Sequence, residues 1–207
     1  MHRLYAILDI DTLTARGLQP HAVMDAWLDA GVRLVQLRAK RLAGEASGEM
    51  LALADDLVAR AHAAGATLII NDRADIAWMS GADGVHVGQA DLPPSVLVRR
   101  PGLVVGLSTH TMAQLTAALT EPADYLAIGP VFPTTSKLGA DPVVGIEMVR
   151  AAARVVTDRP LVAIGGITLA TAASVLAAGA TSVAVISDLL VGDIRARARD
   201  FVDAICQ

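Results

Sequence analysis

Residues 67–92 read TLIINDRADIAWMSGADGVHVGQADL. Two short apolar runs, Leu68-Ile69-Ile70 and Gly84-Val85-His86-Val87, have the length and the bounding turn residues of buried strands. Each ends in a polar cluster, Asn71-Asp72-Arg73 after the first and Gly88-Gln89-Ala90-Asp91 after the second. Ala74 to Met79 leaves room for one short helix between them. A strand–helix–strand unit with polar residues at both strand C-termini is how an α/β protein assembles an active site. Asp72 and Asp91, at neighbouring strand ends, form the candidate pair for a shared divalent cation.

The same alternation continues on both sides. Upstream, Leu4 to Leu8 reads as a strand ending at Asp9, and His21 to Ala30 as a helix stopped by Gly31. Val32 to Leu37 is the next strand, followed by a helix from Glu49 to Ala64 that Gly65 closes. Downstream, Pro93-Pro94 open a helix ending near Arg100. Leu103 to Leu107 is a strand followed by Ser108-Thr109-His110, and Thr111 to Leu119 is helical. Tyr125 to Ile128 is a strand followed by a long polar loop, Gly129 to Asp141. Ile146 to Val156, Thr168 to Ala178 and Asp193 to Ile205 are helical, with strands at Leu161 to Ile164 and Ser182 to Ile186 between them. Eight strand–helix repeats predict a parallel sheet closed into a (β/α)8 TIM barrel, one domain over residues 1–207 with the active site at the strand C-termini. The alternative is an open doubly wound sheet. Against it, no Gly-x-Gly-x-x-Gly follows the first strand, and polar clusters sit at nearly every strand end.

Composition narrows the function classes. An apolar content of 54% with 18% charged residues describes a folded chain, and with only 3% aromatics its core must be built mostly from Ala, Val, Leu and Ile. The net charge of −4 argues against a nucleic-acid partner. The single cysteine, Cys206, excludes an intrachain disulfide and a multi-cysteine zinc site, and fits a reducing, cytoplasmic setting. No apolar run reaches membrane-spanning length, and Met1 to Ile7 enters a strand without signal-peptide architecture. The expected partners are small molecules, with no nucleic acid and no membrane; a homodimer stays open.

Of the 17 basic residues only Lys40 and Lys137 are lysines, and both lie just past predicted strand C-termini. Asn71, the only asparagine, also lies at a strand end. Compact ammonium groups suit phosphate oxygens; the plainer alternative is two solvated loop lysines. Gly165-Gly166 after strand seven and Ile186-Ser187-Asp188 after strand eight match the place where barrels often bind phosphate through backbone N–H groups. A tight turn alone would also explain the glycine pair. Either aspartate alone reads equally well as a helix cap. Together, Arg38, Lys40, Asn71, Asp72 and Asp91 on one face fit Mg2+ bridging to a diphosphate, since Mg2+ takes few carboxylates plus phosphate oxygens and water. His86 is a core or lumen residue and His110 a candidate to face the site, while His2, His21 and His62 read as surface. Asp124 sits at the opposite face and reads as structural. No histidine-rich metal spacing, nucleophile elbow or Walker loop is present.

Six stretches carry a resemblance. Val35-Gln36-Leu37-Arg38-Ala39-Lys40, Ile70-Asn71-Asp72-Arg73, Asp83 through Leu92, Gly106-Leu107-Ser108-Thr109-His110, Gly129-Pro130-Val131-Phe132-Pro133-Thr134 with Lys137, and Ile164-Gly165-Gly166-Ile167 resemble, in order and near-matching spacing, the motif series of the thiamin phosphate synthase family. The resemblance implies a transferase in thiamine biosynthesis on a (β/α)8 barrel. It would join 4-amino-5-hydroxymethyl-2-methylpyrimidine diphosphate to 4-methyl-5-(β-hydroxyethyl)thiazole phosphate, giving thiamin monophosphate and diphosphate. The implied route is dissociative: the bond to diphosphate breaks first and the thiazole nitrogen attacks a pyrimidine-methyl cation. Gln36 through Lys40, Asn71, Ser108 and Lys137 would hold the pyrimidine diphosphate. Arg38, Lys40, Ser108 and Lys137 would serve catalysis, and Asp72 and Asp91 would bind the Mg2+ cofactor. Thr134, Thr135, Ser136, Gly166, Ile186 and Ser187 would hold the thiazole phosphate.

Ala39 stands where the family usually has Glu, Ser136 where it usually has Thr, and Leu8 precedes Asp9 where Thr is common. Two further readings compete: a thiazole tautomerase of the sister family, for which His110 would be the acid–base group, and a non-catalytic ligand-binding barrel. The loop from Gly129 to Asp141 is long enough to act as a lid that brings Lys137 to the diphosphate and keeps water from the cation.

Overall fold

The computed structural model describes residues 1–40, 46–99, 101–134 and 142–206. Eight parallel strands pair in sequence order and close on themselves. They are β1 (Leu4–Asp9), β2 (Leu34–Arg38), β3 (Thr67–Asn71), β4 (Gly84–Val87), β5 (Val104–Thr109), β6 (Tyr125–Ile128), β7 (Leu161–Ile164) and β8 (Ser182–Val185). The ring closes where Leu4, Tyr5 and Ala6 pair with Val183, Ala184 and Val185. The expected (β/α)8 barrel is therefore the observed fold, and no open edge distinguishes a doubly wound sheet.

Around the barrel run α1 (Ile10–Ala15), α2 (Pro20–Asp29), α3 (Ser47–Ala63), α4 (Ala74–Ser80), α5 (Pro94–Leu97), α6 (Met112–Ala118), α7 (Gly145–Val155), α8 (Leu169–Ala177) and α9 (Ile194–Ile205). Sequence reading missed α1, too short to show a helical period, and a 3-10 turn at Ser187–Leu190. It also carried the helix after Pro93 to Arg100, whereas α5 ends at Leu97. It stopped strand five at Leu107, whereas β5 runs on to Thr109, so Ser108 sits within the sheet rather than past it. Among the described residues no helix is long and apolar enough to cross a membrane.

Apolar side chains pack in two bodies. Tyr5, Ile7, Leu34, Ile69, Tyr125, Ala127, Val162 and Ala184 fill the barrel lumen. A larger set of Leu, Val, Ile and Ala fills the layer between strands and helices. The strands read as continuous apolar runs because both faces are covered. At the N-terminal face, Asp83 and Asp124 each accept a hydrogen bond at 2.7 Å from the backbone of a strand start, Leu68 N and Val105 N. That placement gives Asp124 the structural role expected of it.

Candidate active site

The C-terminal ends of the strands surround a cavity that reaches into the lumen. Gln36, Arg38, Lys40, Asn71, Asp72, Asp91, Ser108 and Thr134 all line it, with His86 and His110. Eight candidate residues drawn from five strand ends and their loops thus meet in one place.

Asp72 is the only residue besides glycine with a positive φ among those described, 62°. Its N–H donates to His86 O at 2.8 Å, and Arg73 N donates back to Asn71 O at 2.8 Å. Aspartate tolerates this left-handed conformation better than most side chains, and such strain collects at working sites. The turn presents the carboxylate to the Lys40 ammonium, with which it pairs. Asp91 is fixed by Gly88 N, which donates to its Oδ2 at 2.7 Å. Neither aspartate caps a helix: α4 and α5 have no side-chain cap hydrogen bond. The capping alternative is thereby removed.

Burial lifts the pKa of Asp72, the Lys40 ammonium opposes that lift, and the negative charge of Asp91 adds to it. Two neighbouring carboxylates with one partial counter-ion leave room for another cation. Among the described residues no group of three or more His, Cys, Asp or Glu side chains could hold a metal by itself. A carboxylate pair is too few for a closed protein cage, yet it suits Mg2+ completed by phosphate oxygens and water.

Arg38 pairs with Asp9, a carboxylate only 1% exposed. Asp9 also accepts from Thr12 N at 2.8 Å and so caps α1. The buried carboxylate aims the guanidinium at the cavity rim from below.

Beneath the rim lies a hydrogen-bonded chain of lumen side chains. Gln36 Nε2 donates to Tyr5 Oη at 2.8 Å. Tyr5 Oη meets Tyr125 Oη at 3.0 Å, and Tyr125 Oη meets His86 Nδ1 at 2.9 Å. His86 Nε2 then meets Ser108 Oγ at 2.8 Å. A relay that starts at Gln36 and runs toward Ser108 is one arrangement that satisfies every link. Tyr5 donates to Tyr125, Tyr125 to His86 Nδ1, and the His86 Nε2–H to Ser108. The Ser108 proton is then left to point into the cavity, where a phosphate oxygen would accept it. The His86 ring also stacks on Tyr125, centroids 5.4 Å apart.

Burial pushes the His86 pKa down to about 4, so the ring is neutral at neutral pH, as this arrangement requires. Burial also raises the pKa of both tyrosines, keeping them as O–H donors. A stability consequence follows. The unfolded chain takes a proton on this histidine near 6.5, the folded chain only near 4. Between those values the unfolded state binds more protons, so stability falls as pH falls. Going from pH 7 to pH 5 should cost about 2 kcal/mol through this group. Urea unfolding at the two pH values checks this, with His86→Gln expected to lose that part of the pH dependence. An equal pH dependence in both proteins would contradict it.

A second cavity adjoins the first. Pro133, Thr134, Gly165, Gly166, Ile167, Thr168, Ile186 and Ser187 are among its lining residues. At Gly166, φ is 64°, and a Cβ would lie 2.4 Å from Pro133 O. Only glycine fits there, which supports its place in a backbone cradle. Thr134, Ile164, Gly165, Ala184 and Ile186 line both cavities.

The structure therefore brings Gln36, Arg38, Lys40, Asn71 and Ser108 of the predicted pyrimidine-diphosphate residues together in one cavity and Thr134, Gly166, Ile186 and Ser187 in the other. Thr135, Ser136 and Lys137, with the part of the proposed lid from 135 to 141, lie outside the described residues. His110 lines the first cavity, its Nδ1 within 2.7 Å of Gly129 O. Sequence reading missed Tyr5 and Tyr125. The signal for both was a lone polar aromatic inside each of two apolar strands, in a chain with only two tyrosines.

Comparison with known proteins places these features among relatives. A family model described as thiamine monophosphate synthase matches residues 4–189. The thiamine-phosphate synthase of Koribacter versatilis is 48% identical over 211 residues, covering 98% of this chain and 95% of that protein. That of Acidothermus cellulolyticus is 44% identical, covering 89% of this chain and 85% of that protein. Among solved structures, a thiamine phosphate pyrophosphorylase from Pyrococcus furiosus superposes with a TM-score of 0.85 at 30% identity, covering 98% of this chain and 94% of that one.

Proposed function

This chain belongs to the thiamine monophosphate synthase family, and from that premise we propose how its two cavities divide the transferase reaction. The observation that carries the reading is the common wall between a lumen cavity rimmed by charge and a second cavity lined by the Gly165-Gly166 backbone beside it.

The lumen cavity suits a flat heteroaromatic ring. Ile7, Ala127, Val162, Ile164 and Ala184 supply apolar walls, and Gln36, Tyr5 and His86 supply polar groups at its floor. A pyrimidine seated there would leave its diphosphate at the rim, beside Arg38, Lys40, Asn71 and Ser108. The thiazole phosphate would lie across the shared wall, its phosphate at Gly166 and Ser187. The reacting methylene and the thiazole nitrogen then meet where the cavities join. The carbon–oxygen bond breaks, diphosphate leaves with both electrons, and the nitrogen lone pair forms the new bond to carbon.

Asp72 and Asp91 would hold Mg2+, which when bound neutralises diphosphate oxygens as charge grows on them. Arg38 and Lys40 add fixed positive charge at the same rim, and Ser108 donates its proton to a phosphate oxygen. The apolar lumen walls keep water from the reacting carbon. Lys137 is assigned to the diphosphate by family resemblance alone.

The direct test measures diphosphate release from the pyrimidine substrate with and without the thiazole phosphate and Mg2+. Release that needs all three supports the reading. Isomerisation of a thiazole carboxylate phosphate, with no thiamin phosphate formed, would replace it by the tautomerase reading.

A further inference from the structure

The second cavity has an unbalanced requirement for charge. A phosphate monoester brings about −1.5 to −2 at neutral pH. Among the described lining residues the ionisable side chains are Arg16 and Asp188. Asp188 is already committed: its Oδ2 accepts from Leu169 N at 2.7 Å and from Arg197 Nη2 at 2.6 Å. Lys40 lines the other cavity and not this one. Arg16 is thus the one side-chain cation that the described lining offers.

Its position is built rather than incidental. Arg16 ends α1, directly after β1, and reaches across to the turn that follows β8. Its Nη1 donates to Leu190 O at 3.0 Å and lies 3.4 Å from Ser187 O. Those two carbonyls bracket the 3-10 turn Ser187–Leu190. Neither Nε nor Nη2 makes a hydrogen bond among the described residues. One nitrogen anchors the guanidinium at the cavity mouth, and two remain in the planar fork that matches phosphate oxygens.

We propose that Arg16 is the phosphate-recognising side chain of this subsite, and that it selects the phosphorylated thiazole. The inference rests on the proposed function for the identity of the ligand, though not for its phosphate chemistry.

The test uses the full chain with Arg16→Gln and Arg16→Lys. At saturating pyrimidine diphosphate, KM for the thiazole phosphate should rise on the order of tenfold to a hundredfold in Arg16→Gln and less in Arg16→Lys. KM for pyrimidine diphosphate should stay at the wild-type value. An unchanged thiazole phosphate KM overturns the proposal, and so does an equal rise for both substrates. Calorimetric titration with inorganic phosphate separates this inference from the functional reading. If the chain makes no thiamin phosphate at all, the functional reading fails. The Arg16 assignment then stands if wild type binds phosphate at least tenfold more tightly than Arg16→Gln, and falls if the two bind alike.

Discussion

Asp72→Asn and Asp91→Asn should each lower kcat at least about 100-fold, the scale seen when one preorganised charge-stabilising group is removed from an active site. The loss should fall on turnover more than on substrate binding, because the leaving diphosphate carries more negative charge in the transition state than in the bound substrate. Excess Mg2+ should restore part of it, since asparagine keeps one oxygen ligand. The folded state should not suffer. Burial and the neighbouring Asp91 together outweigh the Lys40 pairing in disfavouring the ionised form of Asp72, so a neutral isostere relieves a net cost there. The melting temperature of Asp72→Asn is therefore expected to equal or exceed that of wild type. Turnover at the wild-type rate under limiting Mg2+, in both variants, would remove the metal assignment.

Gly106→Ala should damage stability and activity together. Gly106 lies in β5 between two register partners, His86 of β4 and Tyr125 of β6. Its missing side chain leaves the space in which those two rings stack. A Cβ would lie 2.1 Å from Tyr125 Cζ and 2.5 Å from His86 Nδ1. Both rings are packed in the lumen and hydrogen-bonded at their ends, so neither moves aside cheaply. Overpacking of this kind costs about 1–3 kcal/mol, or roughly 3–10 °C in melting temperature at this chain length. The activity should fall as well, because displacing His86 breaks its link to Ser108. The same substitution at Gly48 should act in the opposite direction. Gly48 lies in the first turn of α3, and a Cβ there meets nothing within 4 Å. Helix propensity alone then favours alanine, by up to about 1 kcal/mol. Equal melting temperatures for Gly106→Ala and wild type would show that the lumen chain is not held as described.

These two residues illustrate what was readable from sequence and what was not. Asp72 stands out because it follows an apolar strand, and strand ends are where a barrel exposes polar groups. The barrel was legible for the same reason: apolar runs and helical stretches alternate with glycines between them. Gly106 and Tyr125 were invisible as partners because their meeting depends on register between three strands, which no local pattern encodes. Arg16 escaped notice because it follows a one-and-a-half-turn helix, too short to carry a period, and contacts residues more than 170 positions away. The capping question for Asp72 and Asp91 needed coordinates, since cap and ligand use the same residue types at the same place.

The wall shared by the two cavities has a kinetic consequence. On the proposed division of the site, each substrate gives up its own translational freedom to enter its half. The product is both halves joined, so it gives up that freedom only once, and each half raises the effective concentration of the other at its cavity. Thiamin monophosphate is in this sense a bivalent ligand for the enzyme that makes it. Its escape requires both halves to let go together, so on the proposed division of the site we expect the slow step to follow bond formation. Rapid mixing should then show a burst of product equal to the enzyme present, followed by slower steady turnover. A linear onset would put the slow step at or before the chemistry.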